Sequence, residues 1–203
     1  MLSNYADMAA YLDWSGLRPM SELEYEKACR GTRPVTADEY AWGDVSVKAG
    51  PVYIVTNPGA ANEIINAVPV IGNAAYNATN GIRPYRVGAI AASQVAPNRV
   101  EAGATYYGIM EMSGNEYELE ITVGRAEGRV FDGAHGDGNI TAAGLGDVTN
   151  WPAANLGFGL RGGCYHSSYP AIYMRVSSRY LGHYWNTTTR QYHYGGRGVR
   201  TAQ

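Results

Sequence analysis

The chain has 203 residues, a formal net charge of −2 and 45% hydrophobic residues. This length fits one domain, and the apolar content is sufficient for a hydrophobic core, which excludes a wholly disordered chain. No apolar run approaches the roughly 18 residues that a membrane-spanning helix requires, so we expect no membrane span.

Two helices are predicted at the beginning of the chain. Apolar residues at helical spacing predict the first over residues 4–14, where the side chain of Asn4 can cap the first turn. The second is predicted over residues 21–30, because it opens on a Ser-x-x-Glu capping box and ends at Gly31. Its three glutamates lie near the positive end of the helix dipole.

The remainder of the chain is predicted to form short strands and long loops. Loop-rich insertions are expected at 56–104 and 124–147, which are rich in Gly, Asn and Ala, inside a single domain that covers residues 1–203. Two helices followed by short strands predict an α+β fold. The predicted strands lie within residues 52–55, 67–71, 106–123, 158–164, 171–179 and 197–201.

The charge is divided unevenly along the chain. Residues 1–147 hold all 18 acidic residues and 10 of the basic ones, whereas residues 148–203 hold six arginines and no Asp or Glu. A basic segment of this kind can bind nucleic acid. Here the arginines are scattered among Tyr, Ser, Thr, His and Gly, a mixture that phosphate binding alone does not require, so we expect no nucleic-acid partner.

The two cysteines, Cys29 and Cys164, do not form a metal-binding or disulfide framework pattern. Cys29 falls inside the second predicted helix, where a small buried hydrophobic residue is expected. Cys164 is expected to be a surface thiol, and a disulfide between the two is left open as an alternative.

The most unusual composition lies in residues 164–194, which we call the recognition segment. It contains seven Tyr, four Ser, three Thr and three His but no acidic residue and no Lys. Tyrosine gives a large contact area at low entropic cost, and Ser, Thr and Asn give adaptable hydrogen bonds, as in an antibody paratope. The alternative is a half-buried Tyr-rich sheet. The pattern favours recognition.

Candidate chemistry outside a binding surface is limited. The histidines His166, His183 and His193 have no neighbouring carboxylate in the sequence to orient them, and their spacing matches no metal motif. Glu116, Glu118 and Glu120 alternate along the sequence, so on a strand they would share one face, and we expect that face to be solvated. We therefore predict no cofactor and keep calcium as an alternative at a Gly- and Asn-rich loop. The aspartates of that loop are Asp132, Asp137 and Asp147.

Arginine and glycine frame the recognition segment. Residues 161–163 read Arg-Gly-Gly before it, residues 195–200 read Gly-Gly-Arg-Gly-Val-Arg after it, and Arg175 and Arg179 lie within it. Glycines at such points favour tight turns, and arginines there can fix loops through carbonyls or carboxylates. Phosphate binding is the alternative role for these arginines.

Five motifs in order resemble the formylglycine-generating (sulfatase-modifying factor) family. Residues 18–31 resemble the family's Arg-Leu-Pro-Thr-Glu-x-Glu-Trp-Glu-x-Ala-x-Arg-Gly helix, and residues 41–44 its Pro-Trp-Gly-Asp. Residues 107–118 resemble its Gly-Leu-x-Asp-Met-x-Gly-Asn-x-Trp-Glu, and residues 160–163 and 198–200 its Arg-Gly-Gly-Ser and Gly-Phe-Arg. The resemblance spans nearly the whole chain and implies a C-type-lectin-like fold.

The family's enzymatic activity is not implied for this chain. The enzymes of the family use a pair of cysteines after Arg-Gly-Gly, shortly before an arginine that matches Arg175. Here that stretch, residues 167–173, contains no cysteine, and Cys164 has no partner nearby in sequence. The thiol chemistry needs two sulfurs in one place. The iron-ligating histidine pattern of the related sulfoxide synthases is also absent from the sequence.

A non-enzymatic branch of the same fold resembles the chain more closely, namely the variable proteins of diversity-generating retroelements. In those proteins the C-terminal segment is mutagenised at adenines, so that Asn codons become Tyr, His, Ser, Thr, Asp, Cys or Gly, but not Trp, Gln, Met, Lys or Glu. The recognition segment uses nearly this alphabet, although it lacks Asp. The resemblance implies that Met174, Trp185 and Gln191 belong to the scaffold.

Composition and resemblance together predict a non-enzymatic, hypervariable ligand-binding protein whose partner is a protein or a cell-surface molecule. We expect a virion or cell-surface location, and the sequence leaves the oligomeric state open. The alternatives are an oxidase of the formylglycine-generating type and an invariant carbohydrate-binding adhesin. The predicted ligand-binding residues are Tyr165, His166, Ser167, Ser168, Tyr169, Tyr180, His183, Tyr184, Asn186, Thr187, Thr188, Thr189, Tyr192, His193 and Tyr194.

Overall fold

The computed structural model describes residues 3–49, 53–66, 71–77, 84–153, 155–166, 168–183 and 188–202. The chain divides into two compact units, each built from segments that are separate in sequence. One, the sheet unit, comprises Met1–Tyr25, Tyr117–Arg161 and Arg179–Gln203. The other, the loop unit, comprises Glu26–Glu116 and Gly162–Ser178.

Both predicted N-terminal helices are present, with the predicted caps. Helix α1 is Tyr5–Trp14, and the Asn4 side chain accepts a hydrogen bond from the amide of Asp7 while the Asp7 carboxylate accepts one from the amide of Asn4. Helix α2 is Glu22–Arg30. The Ser21 amide donates to the Glu24 carboxylate over 2.9 Å, and the Glu24 amide donates to the Ser21 hydroxyl over 3.3 Å.

The sheet unit is organised around one buried strand. Strand β1 is Arg18–Pro19, β4 is Tyr117–Ile121, β5 is Phe158–Arg161, β6 is Tyr194–Gly196 and β7 is Gly198–Val199, while β2 and β3 belong to the loop unit. Strand β4 lies in the centre of a three-stranded sheet, antiparallel to β5 and parallel to β6, and β1 pairs with β7. All five residues of β4 are buried. The unit also contains a short helix α4, Ala126–Arg129, whereas α3 lies in the loop unit.

The loop unit contains little regular structure. Its strands β2, Val55–Thr56, and β3, Ile64–Ile65, are antiparallel. Besides the C-terminal part of α2, it contains helix α3, Ala89–Ala92, and a 3₁₀ turn at Ala171–Met174. Aromatic rings fill the core instead, as where Tyr53 and Tyr85 meet edge to face with centroids 5.8 Å apart.

Buried polar side chains fix the loops of this unit. The Asn115 side chain accepts a hydrogen bond from the Tyr85 amide over 2.8 Å and donates one to the Tyr85 carbonyl over 3.1 Å. It thereby satisfies both backbone groups of Tyr85, as the backbone of a paired strand would. Asn115 has a φ of 69°, a left-handed conformation that asparagine tolerates well. The amide of Asn115 in turn donates to the Ala75 carbonyl.

The fold is α+β, as the order of elements in the sequence predicts. No helix among the described residues is long and apolar enough to cross a bilayer. Three strand predictions are confirmed in part, at β4, β5 and β7, and the predicted strand at 52–55 is reduced to its last residue in β2. The predicted strand at 67–71 lies almost entirely outside the described residues.

Two predictions from residue pattern are wrong. Residues 171–174 form a 3₁₀ turn after Pro170 and not a strand, because the alternation Ile-Tyr-Met-Arg-Val also fits a tight turn that buries Met174. The glutamates Glu118 and Glu120 do not form a solvated face, since both are buried. Strand β4 has a partner strand on each edge and both faces covered, so alternation along it does not separate core from solvent.

Candidate functional site

The recognition segment is shared between the two units, with residues 164–178 in the loop unit and residues 179–194 in the sheet unit. Each part is described by itself. Four of the predicted binding residues, Ser167, Tyr184, Asn186 and Thr187, lie outside the described residues, as does the predicted scaffold residue Trp185.

In the loop unit, a tight turn presents the first polar side chains of the segment. The Tyr169 amide donates to the His166 carbonyl over 3.1 Å, and the Ser168 amide donates to His166 Nδ1 over 3.2 Å. The His166 and Tyr169 rings lie 5.8 Å apart, and Tyr169 meets Tyr173 edge to face at 5.5 Å. Ser168 is exposed, and the rings of His166 and Tyr169 are half-buried. The turn therefore holds a small aromatic row at the surface.

Tyr165 is buried, with 7% of its surface accessible, and belongs to the aromatic core around Tyr53 and Tyr85. Its amide donates to the Asn115 carbonyl over 2.8 Å. The prediction that Tyr165 is displayed to a ligand is therefore wrong, because this tyrosine fills the interior of the loop unit.

In the sheet unit, the segment begins as an exposed loop. Tyr180 is 69% exposed and His183 is also exposed. The backbone between them is held to the sheet, since the Leu160 amide donates to the Leu181 carbonyl and Arg125 Nε donates to the His183 carbonyl over 2.7 Å. The loop thus fixes its main chain and leaves two aromatic side chains in solvent.

The segment then passes over helix α1. Thr188 and Thr189 are exposed, and the Asn4 amide group donates to the Thr188 carbonyl over 2.7 Å. Arg190 binds both oxygens of Asp7, at 2.7 and 2.6 Å. The exposed Tyr192 follows the half-buried Gln191, whose backbone pairs with Ser3. Backbone and arginine contacts hold this stretch while its hydroxyls stay accessible.

His193 and Tyr194 are buried, with 6% and 8% of their surfaces accessible. Tyr194 opens strand β6 opposite Tyr117 of β4, and the Tyr117 amide donates to the His193 carbonyl over 3.0 Å. The prediction that these two residues are displayed is wrong, because the chain enters the central sheet at this point. Sequence composition could not reveal this, since Tyr and His suit both a surface and a pleated strand.

The arginines around the segment pair with carboxylates. Arg161 is almost fully buried, with Nη1 3.0 Å from the Glu22 carboxylate and its guanidinium 5.1 Å above the Tyr25 ring. Arg179 lies 3.8 Å from the same carboxylate, and Arg197 lies 2.6 Å from Glu118.

Arg175, in the loop unit, lies 2.8 Å from Asp38. Four of the five framing arginines thus have a carboxylate partner, which supports the predicted loop-fixing role for them, whereas Arg200 is exposed. Gly163 has a φ of +69°, and a Cβ there would lie 3.0 Å from the Met174 backbone nitrogen, so this turn requires glycine. Met174 itself is fully buried, which agrees with a scaffold role.

Neither cysteine is available at the surface. Both are free thiols and both are buried, which confirms the expectation for Cys29 and excludes a disulfide between them. The expected surface position of Cys164 is wrong, because none of its surface is accessible to solvent. Burial raises the pKa of the Cys164 thiol to about 12, well above its ordinary value of 9.0. This sulfur is therefore a neutral thiol at physiological pH.

One group of acidic residues in the sheet unit could hold a cation. Ligand oxygens of Asp13, Asp137 and Asp147 lie within 4.8 Å of one another. The buried Asp13 carboxylate also accepts hydrogen bonds from the amides of Asp137, at 3.1 Å, and Asp147, at 2.9 Å. Asp13 thus organises the glycine-rich loop by itself. The third aspartate of the sequence prediction, Asp132, belongs elsewhere, since its carboxylate accepts from Ala134 and Asn150.

Sequence reasoning missed Glu22, Asn115 and Asp13 as organising residues. Glu22 lies in the first turn of α2, where a glutamate looks like an ordinary partner of the helix dipole. Asn115 follows Gly114 in one of the five motifs, and this pair is the one signal that a left-handed turn is needed there. Asp13 follows Leu12 inside α1, and nothing in the neighbouring sequence distinguishes it from an aspartate on the exposed face of a helix.

The family match decides the relationship of the chain. Residues 2–202 match the family described as sulfatase-modifying factor enzyme 1-like domain. The chain belongs to this family. Its α+β architecture is the C-type-lectin-like fold of these domains, with short strands and long loops. No protein in a search of curated proteins matches the chain.

Within this sulfatase-modifying factor enzyme 1-like domain, the motifs have identifiable structural roles. The Arg-Gly-Gly motif supplies Arg161, which forms the buried ion pair with Glu22. The Trp-Gly-Asp motif supplies Trp42, whose indole nitrogen donates a hydrogen bond to the Ser46 carbonyl over 3.0 Å. The Gly-Asn motif supplies Asn115. These motif residues fix the fold.

Proposed function

We propose that the chain is a non-enzymatic ligand-binding protein whose recognition segment is diversified by a retroelement. The observation that carries this proposal is the exposure of one set of side chains on a fixed backbone. This exposed set consists of Ser168, Tyr180, His183, Thr188, Thr189 and Tyr192.

The chemistry of the exposed set suits non-covalent recognition. Tyrosine and histidine supply contact area and a polar group, and the hydroxyls of Ser and Thr supply hydrogen bonds that adapt to different partners. Most of the binding energy is expected from a few aromatic side chains, here Tyr180 and Tyr192. The neighbouring backbone is held by the Arg190–Asp7 pair and the Arg125 contact, which reduces the ordering cost on binding.

Two observations favour binding over thiol chemistry. The sulfur of Cys164 is buried and protonated, so it is a poor nucleophile and a poor metal ligand. Residues 165–173 contain no second cysteine. A covalent thiol mechanism requires a deprotonated sulfur that its substrate can reach.

A display experiment tests the binding proposal. One library is randomised at the exposed set, and a matched control library is randomised at the buried positions Tyr165, His193 and Tyr194. Both are displayed on yeast and selected against several purified, unrelated proteins. We expect folded members and binders from the first library and few folded members from the control. A first library that yields no more binders than the control would contradict the proposal.

Two further measurements address the alternatives. An assay for cysteine oxidation in a sulfatase peptide, with copper added, should show no product above a boiled control. A glycan array should give no hit that persists in all natural variants of the chain. Product formation would support the oxidase, and a persistent glycan hit would support an invariant adhesin, so either result would contradict the proposal.

A further inference from the structure

The loop unit contains a basic cavity that the recognition segment does not use. A cavity of about 200 Å³ is lined by three arginines and one glutamate, together with smaller residues; the lining residues are Arg30, Arg33, Pro34, Thr36, Glu39, Gly43 and Arg99. A neighbouring cleft of about 550 Å³ shares Arg33, Gly43 and Arg99 with it. The smaller cavity is several times the roughly 30 Å³ of one water but below the roughly 300 Å³ of pockets that hold drug-sized ligands, a size suited to one small group.

Arg30 is already neutralised by protein carboxylates. Its Nε donates to Glu39 over 2.6 Å, and its Nη1 donates to Glu26, one turn earlier on α2. Asp44, which lines the neighbouring cleft, accepts from the Ser46 amide over 2.6 Å. Glu39 is thus ion-paired with Arg30, and no ion pair joins Arg33 or Arg99 to a carboxylate within the described residues.

Arg99 is held by neutral acceptors. Its Nη2 donates to the carbonyls of Cys29 and Ala41, each over 2.9 Å, and its Nε donates to the Ala104 carbonyl over 3.3 Å. Its buried Nη1 has no hydrogen-bond partner among the described residues. Burial, and after it the positive charge of Arg33, lower the pKa of Arg99, while the negative charge of Glu39 opposes this shift. Arg99 is thus a half-buried cation with one buried nitrogen, and no carboxylate forms an ion pair with it in the described part of the chain.

Arg33 supplies the second positive charge. Its side chain is exposed, and within the described residues no hydrogen bond or ion pair engages it. Three guanidiniums and one carboxylate line the cavity, so a net positive charge remains that a bound anion would offset. A guanidinium presents planar donors that match the oxygens of a phosphate.

Gly43 allows this arrangement. It has a φ of +76°, and a Cβ at this position would lie 3.0 Å from Arg99 Nη1. Glycine therefore lets the Arg99 guanidinium pack against the main chain at the floor of the cavity. Gly43 belongs to the Trp-Gly-Asp motif, so part of the family framework shapes the cavity.

We propose that Arg33 and Arg99 form a binding site for a phosphate group, free or esterified. Arg33 reaches the group from the solvent side and donates hydrogen bonds to it, while Arg99 provides positive charge from the floor of the cavity. A phosphate ester places its organic part in the neighbouring cleft. None of these residues belongs to the recognition segment, so this site does not depend on the proposed function.

Isothermal titration of the full chain with inorganic phosphate, and separately with glycerol 3-phosphate, tests the site at constant ionic strength. We expect saturable binding of one phosphate per chain. Arg33→Ala should weaken it roughly tenfold, the value of a charge-assisted hydrogen bond, and Arg33→Glu should abolish it. Tighter binding of the ester than of inorganic phosphate would assign the cleft to an organic part, and equal binding would assign free phosphate.

Arg200→Ala is the matched control, because Arg200 is exposed and lies outside the residues that line the cavity. This variant should bind phosphate like the unmodified chain. The melting temperature without phosphate checks that Arg33→Ala folds normally, and added phosphate should raise it for the unmodified chain and for Arg200→Ala but much less for Arg33→Ala. Absence of saturable binding at millimolar phosphate would overturn the proposal. Equal weakening by Arg33→Ala and Arg200→Ala would also overturn it, since that result indicates diffuse charge attraction.

Discussion

Tyr180 and Tyr194 lie in the same Tyr-rich segment and in the same structural unit, yet they serve opposite purposes. Tyr180 projects into solvent from a loop whose backbone is fixed, whereas Tyr194 is buried where the chain enters the central sheet. The same contrast separates His183 from His193. The comparison teaches that one unusual composition supplies both exposed side chains and side chains that fill the interior.

The largest expected difference concerns thiol reactivity. Cys164 is buried with a pKa near 12, about three units above the ordinary value of a cysteine, so its thiolate fraction is roughly a thousandfold lower. We expect Cys164 to resist a disulfide reagent at pH 8 in the folded chain. The variant Tyr180→Cys adds a matched exposed thiol, which should react within seconds. Rapid reaction of the unmodified chain would show that the interior position of Cys164 is wrong.

The second prediction compares two arginine–carboxylate pairs. Arg161→Ala leaves the buried Glu22 carboxylate without its main partner, and removal of one member of a buried pair costs about 3–5 kcal/mol of unfolding free energy. Arg190→Ala breaks the exposed pair with Asp7 and should change stability little. Urea unfolding of both variants measures the difference. Similar losses of unfolding free energy in the two variants would contradict the distinction between a buried ion pair that anchors the fold and an exposed one that does not.

The third prediction compares the two tyrosines directly. Tyr194→Ala removes a buried ring and should lower the unfolding free energy by about 3–5 kcal/mol. Tyr180→Ala removes an exposed ring and should change it by no more than about 0.5 kcal/mol. Thermal or urea unfolding measures both. A large loss for Tyr180→Ala would mean that this side chain supports the fold.

The fourth prediction concerns pH and the buried Glu118. Burial raises the pKa of this carboxyl above its ordinary value of 4.5, an effect that the neighbouring Arg197 opposes but does not cancel. The folded state therefore binds the proton more tightly than the unfolded state. The resulting stabilisation is complete below pH 4.5 and is lost as pH rises through the folded-state pKa. Glu118→Gln should remove this pH dependence in urea unfolding, and an unchanged profile would contradict it.

The smallest effect is expected at the half-buried Asp7, with the opposite sign. The hydrogen bond from Arg190 lowers the pKa of this carboxyl below its ordinary value of 3.8. The stabilisation that the charged Asp7 carboxylate gives to the folded state is present above pH 3.8 and is lost as pH falls through the folded-state pKa. Asp7→Asn should therefore reduce stability slightly at neutral pH but not in strong acid. If the stabilisation from Asp7 were instead lost as pH rises, as at Glu118, the result would contradict the pairing of Asp7 with Arg190.

Much of the fold could be predicted from the sequence, because its signals are local. The capping boxes at Asn4 and Ser21 involve residues three apart, and both helices form as expected. The five motifs predicted the family and hence the α+β fold. The burial of Glu118 and Glu120 could not be predicted, since it depends on strands β5 and β6, which come from distant parts of the chain.

The candidate site could be predicted only as a segment. Composition located it within residues 164–194, but the residues that it holds in the interior, Tyr165, His193 and Tyr194, are of the same types as its exposed residues. The Asn115 carbonyl and strand β4 decide which side chains point inward, and neither is visible in the segment itself. The cavity between Arg33 and Arg99 gave no sequence signal, because 66 positions separate the two residues.

The most direct test of the central claim is the DNA sequence of the 3′ coding repeat in sister copies of the gene and in an adjacent template repeat. The codon alphabet alone allows Tyr, His, Ser and Thr positions to vary wherever they occur. Our account predicts adenine-specific differences at codons of the exposed set, Ser168, Tyr180, His183, Thr188, Thr189 and Tyr192. It predicts unchanged codons at Tyr165, His193 and Tyr194. Differences spread over all bases, or concentrated at those three buried positions, would contradict it.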